Sequence, residues 1–135
     1  MNTAQRILLV YGTLSIVYGM TLGLPLSGCR MSHPTGPRHL VTAHLSALMQ
    51  GAMHLGLSVA VGFATLTPWV LTASAVALVC GSALFVAGAT ANWLMKVGDH
   101  FAERSRGWYL LSASGPLHLA GALVILVGVT RAALS

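Results

Sequence analysis

Few imidazole or amide side chains sit inside the long apolar runs of this chain: His44, Gln50, His54, Asn92 and His118. Imidazoles can ligate a metal or move a proton, and amides can hold an oxygen. In an apolar setting each is costly without a partner, so each is a functional candidate by default. The bland alternative is a helix-to-helix hydrogen bond. For His54 or His118 alone, that packing role is the expectation.

His44 stands apart because of its surroundings. On a helix, the residues three, four and seven positions later share its face, and these are Ala47, Leu48 and Gly51. They predict a shallow apolar trough beneath the imidazole, in which a flat macrocycle could lie with its iron on His44. Haem b needs little more than one neutral histidine and a dry slot. Gly51 can equally mark the close approach of two helices. Gln50 follows His44 by six positions, roughly 240° around a helix. The two can serve one site only if it wraps the helix or falls at a subunit junction. Gln50 and His54 do share a face, so a separate polar seam is the alternative.

Composition dictates the elements that carry these residues. The chain has 135 residues, 56% hydrophobic and only 7% charged. A soluble domain of this size carries roughly a quarter charged residues, so most of this surface cannot face water. An integral membrane protein is expected. Four runs are long enough to span a bilayer, at about 7–26, 39–66, 69–95 and 108–133. They predict an all-α, antiparallel four-helix membrane bundle forming a single domain over 1–135. Thr67-Pro68 reads as a tight turn, with Pro68 suited to the first turn of the third helix.

The first loop, "SGCRMSHPTGPR" at 27–38, is polar and rich in Gly and Pro. The third, "KVGDHFAERSR" at 96–106, holds both acidic residues, Asp99 and Glu103, which are expected to form solvated ion pairs with neighbouring cations. Leu26-Ser27-Gly28-Cys29 resembles a lipoprotein cleavage box, but the preceding run is long enough to span, so a retained first helix is expected. Cys29 and Cys80 are expected to stay unpaired. Loops one and three hold more cations than the opposite side, which predicts both loops in the cytoplasm. Antiparallel packing then brings His44 and Asn92 to similar depth, with Lys96 one turn beyond Asn92.

Several function classes are excluded. The net charge of +5 comes from cations at segment ends, with no basic stripe and interleaved aromatics, so no nucleic acid is expected as a partner. There is no HExxH, thiolate cluster, phosphate-cradling loop or paired carboxylate. No acidic residue lies in the first helix, which argues against a small proton-coupled exporter.

The segment Ala43-His44, five residues, then Gln50-Gly51-Ala52-Met53 resembles the second helix of bacterial styrene oxide isomerases, with their pattern Ala-His, five residues, Asn-Gly-Met-Met. Ala91-Asn92 matches an Ala-Asn pair in that family's third helix, and the loop placement extends the likeness over most of the chain. The resemblance implies a haem b membrane isomerase assembled as a homotrimer, with ferric haem near subunit junctions. His44 would be the axial ligand, Gln50 would stand where the family has an active-site asparagine, and Asn92 would match the helix-three asparagine. The family's active-site tyrosine falls at Lys96 and its acidic residue at Gly88. Lys96 cannot reproduce a phenol's weak acidity, leaving Tyr109 or Trp93 as substitutes.

The implied reaction is redox-neutral isomerisation of a small hydrophobic epoxide to an aldehyde or ketone. Iron on His44 would act as a Lewis acid, with Gln50, Asn92 and Lys96 as the catalytic side chains and Ala47, Leu48 and Gly51 lining the cofactor. The competing expectations are a b-type electron-transfer subunit, in which His44 pairs with His54 or His118, and a non-catalytic membrane assembly protein. The expected location is a bacterial inner membrane, crossed several times.

Overall fold

The computed structural model describes residues 1–33, 35–98 and 103–134. It is all helical: α1 (Thr3–Ser32), α2 (Arg38–Ala60), α3 (Pro68–Leu94) and α4 (Arg106–Leu134). The helices form two antiparallel hairpins, α1–α2 and α3–α4, joined because α3 also packs on both α1 and α2.

The first helix is longer at both ends than its apolar run. Asn2 caps it by accepting from the Gln5 backbone at 2.8 Å, and the Gln5 side chain returns the bond at 2.9 Å. At the other end it continues through Pro25 and Cys29 to Ser32. The third helix begins at Pro68 as expected. The second ends at Ala60, six residues before the expected Leu66. Residues 61–67 form a connection instead, and the Thr65 amide donates to the Gly128 carbonyl at 3.3 Å. Gly56 and Gly62 flank that end and favour helix termination.

Three helices, α1, α3 and α4, are long and apolar enough to cross a membrane. The fourth expected span, α2, has 23 residues and so about 34 Å of length, but it falls short in hydropathy. Arg38, His39, His44, Gln50 and His54 lower its mean. The outer surface fits a lipid solvent: Leu14, Val17, Met20, Leu24, Leu119 and Leu126 are all more than half exposed.

Backbones meet closely within each hairpin. A Cβ on Gly12 would come within 2.9 Å of the Gly51 carbonyl oxygen, and one on Gly51 within 2.8 Å of the Gly12 oxygen. In the other hairpin, a Cβ on Gly88 would meet the Gly107 oxygen at 2.8 Å. Small residues at such crossings supply the packing that holds membrane helices together, because lipid offers no hydrophobic drive between them. The two cysteines are free, Cys29 part-buried and Cys80 exposed.

Candidate functional site

His44 lies in the α1–α2 hairpin. Its Nδ1 is 2.7 Å from the carbonyl oxygen of Gly19. A carbonyl only accepts, so Nδ1 carries the proton and Nε2 is left with its lone pair. Among the described residues Nε2 has no hydrogen-bond partner. The ring also rests against Gly23, where a Cβ would come within 3.2 Å of His44 Cε1. Gly23 thus leaves room on α1 for the imidazole, and Gly19 supplies the carbonyl that holds it. A backbone carbonyl on one nitrogen and a lone pair on the other is how metal-ligating histidines are commonly held.

The trough expected beneath His44 is filled by α1. Ala47 is fully buried, and its carbonyl accepts from the Ser15 hydroxyl at 2.8 Å. Gly51 meets Gly12 and Ile16, and the Leu48 side chain covers Gly19. The small residues serve the hairpin seam, so this face is not an open slot within one chain. Apolar surface near His44 is instead on the outside, from Met20 and Leu24 of α1 and Leu45 and Met49 of α2.

Gln50 shares a helix face with His54, not with His44. Its Oε1 is buried and has no protein donor among the described residues. An orphaned acceptor of this kind is uncommon in a packed interior.

Asn92 sits at the depth expected but turns toward α4. It is fully buried, and its Oδ1 accepts from the Ser105 hydroxyl at 2.6 Å. Ser105 in turn accepts from the Trp108 amide at 3.0 Å, so Asn92 braces the start of α4. Gly107 packs against the same amide.

Lys96 lies past the end of α3 and is exposed. Its φ of 54° is left-handed. Its amide donates to the Trp93 carbonyl at 3.1 Å, and the Val97 amide donates to the Asn92 carbonyl at 3.0 Å. These two bonds make a Schellman cap with lysine where glycine is usual. Trp93 packs on the Leu40, Ala43 and Ala89 cluster, and Tyr109 is exposed. The first turn of α2 does lie against the third loop, because His39 Nε2 donates to the Val97 carbonyl at 2.6 Å. Asp99, one half of the expected charged pair, lies outside the described residues.

One chain therefore brings Asn92 and Lys96 to the same end as His44, yet not around it. His44 leans on α1, Gln50 lies on another face of α2, and Asn92 faces α4.

A second polar group was not foreseen as a unit. His54 and Ser82 are both fully buried. The Ser82 Oγ lies 3.2 Å from His54 Nε2 and 2.7 Å from His118 Nε2, joining α2, α3 and α4. The Tyr11 ring of α1 meets His54 edge-on at 5.1 Å. Each member is visible in the sequence, but their meeting depends on inter-helix register.

No family model, curated relative or solved structure matches this chain.

Proposed function

We propose that the chain binds haem b through His44 and isomerises small hydrophobic epoxides to carbonyl compounds in a bacterial inner membrane. The observation that supports this reading most is the Gly19 carbonyl on His44 Nδ1 at 2.7 Å. It sets which tautomer the neutral ring adopts and leaves Nε2 to offer the lone pair that a metal-ligating imidazole would use. The donor set fits: one imidazole with an open nitrogen, no competing carboxylate in the four described helices, and exposed Met and Leu side chains beside the ring.

Haem iron held there would supply a redox-neutral Lewis acid for an epoxide oxygen. The chain's own part is to orient His44, exclude water and provide hydrogen bonds. Exclusion of water matters because water would trap the opened epoxide as a diol. The Gln50 amide could hold a substrate oxygen only through its NH2 group, since the orphaned Oε1 is an acceptor. Because α1 fills the Ala47–Gly51 face, the macrocycle belongs on the outer side of the α1–α2 hairpin, at a junction between copies. A trimer would satisfy that need and allow Gln50, Asn92 or Lys96 of another copy to complete the pocket.

The electron-carrier reading has less support. His54 follows His44 by ten positions, about 15 Å along the helix, and both its ring nitrogens already face protein partners. It cannot share an iron with His44 of its own chain.

The test is to express the chain with adequate haem, purify it in detergent, and incubate the ferric protein with aryl and alkyl epoxides. An aldehyde or ketone product without diol is expected. Unchanged epoxide throughout, in protein that retains a Soret band, would overturn the isomerase reading and leave haem binding standing.

A further inference from the structure

We propose that Arg38 and Lys96 hold the phosphate of a net-negative phospholipid in the cleft between the start of α2 and the end of α3. The cleft measures about 370 Å³, and its lining includes Arg38, His39, Trp93, Lys96 and Val97. Two helix ends meet there, and the His39 bond to the Val97 carbonyl at 2.6 Å pins them together. One cationic residue comes from each side: Arg38 opens α2, and Lys96 follows α3.

Lys96 is the more telling of the two. Among the described residues it alone is a non-glycine with positive φ, at 54°. Glycine would close the helix there at lower cost. Backbone outliers of this kind gather where a side chain has a task, and what glycine lacks is the ammonium. Both the Lys96 and Arg38 side chains are exposed, and neither has an acidic partner among the described residues. Glu103, the other charged group near the cleft, accepts from the Gly98 amide at 2.9 Å and so faces the loop backbone. A cleft lined by cations of one sign draws an anion, which relieves their mutual repulsion.

The surroundings select a lipid over a free anion. The cleft lies at the end of the membrane helices, where Trp93 stands part-buried, and indoles favour the level of the headgroups. Leu94 and Met95 follow it with exposed apolar side chains, at 67% and 44%, which acyl chains would cover. A choline or ethanolamine headgroup would bring its own cation to the pair, so a net-negative phosphodiester fits better. Arg30, Arg104 and Arg106 lie at the same end, against Arg6 and Arg131 at the other. That asymmetry gathers anionic lipid on the side where the cleft opens.

The test uses the full chain carrying Trp69→Phe and Trp108→Phe, which leaves Trp93 as the one indole. It is placed in vesicles that mix phosphatidylglycerol and phosphatidylcholine, with either lipid brominated. Quenching then reads which lipid sits beside Trp93, and phosphatidylglycerol is expected to prevail. Its preference should fall about fivefold in Arg38→Gln and about fivefold in Lys96→Gly, the effect of one basic residue at an anionic surface. Lys96→Arg should keep it, and so should Arg104→Gln, which removes a cation of the same end outside the cleft. Lys96→Gly suits the helix cap, so its result decides even where Arg38→Gln does not fold. The proposal is overturned if the two lipids quench alike, if Lys96→Gly keeps the full preference, or if Arg104→Gln lowers it as much. It is also overturned if inorganic phosphate removes the preference where chloride of equal ionic strength does not, since the site then takes a free anion.

Discussion

His44 and His54 stand ten positions apart on one helix, and each gives its Nδ1 proton to a backbone carbonyl. Their other nitrogens meet opposite fates. Nε2 of His44 has no partner among the described residues, whereas Nε2 of His54 faces a buried serine shared with a second histidine. The same tautomer thus leaves an unpartnered lone pair in one place and a member of a buried polar network in the other. Residue type and apolar context do not separate them. What separates them is which helix each ring faces: α1 with Gly19 and Gly23 for His44, and α3 and α4 for His54.

The sharpest way to break this comparison is to remove each imidazole. His44→Ala is expected to lower haem retention at least tenfold with little loss of fold. His54→Ala should keep the haem band and lower the unfolding midpoint. Removing its buried ring leaves a cavity and two unmatched polar contacts, a loss on the order of 2–4 kcal/mol. Absorbance and thermal unfolding of the two proteins read both effects.

Next in size is the seam that presents His44. Gly51→Val would place a branched side chain against the Gly12 carbonyl and Ile16. It should cost about 1–3 kcal/mol from overpacking, and weaken haem binding indirectly by spreading α1 from α2. Denaturant titration and haem transfer measure the two effects.

Asn92→Ala removes the bond to Ser105 that braces α4, a loss of about 1–2 kcal/mol. Since Asn92 turns away from His44, haem retention should be unchanged in a detergent-solubilised protein. A clear loss of haem would mean that a neighbouring copy brings Asn92 to the cofactor.

The smallest effect belongs to Lys96→Gly. Relief of the left-handed lysine should add about 1 kcal/mol of stability. If epoxide turnover falls while stability rises, the lysine side chain has a chemical role beyond its place in the cap.

Much of the scaffold was legible in the residues. Apolar run lengths gave four antiparallel helices, and Pro68 marked a helix start. The end of α2 was missed because Val61, Phe63 and Leu66 keep the sequence apolar after the helix has stopped. The extension of α1 to Asn2 could have been found in the Asn-x-x-Gln capping pattern. Ala47 and Gly51 announced close approach, but small residues fit a helix and a macrocycle alike. The pairing of His54 with Ser82 and His118 was hidden for another reason. It spans 28 and 36 positions, and only the register of packed helices brings such residues together.

The absorption spectrum of purified His44→Gly, recorded with and without added imidazole, tests the central claim most directly. Wild type should show a Soret band and His44→Gly little or none, with imidazole restoring it beside Gly23. A full Soret band in His44→Gly without imidazole, or none in haem-supplied wild type, would contradict the assignment of His44 as the iron ligand.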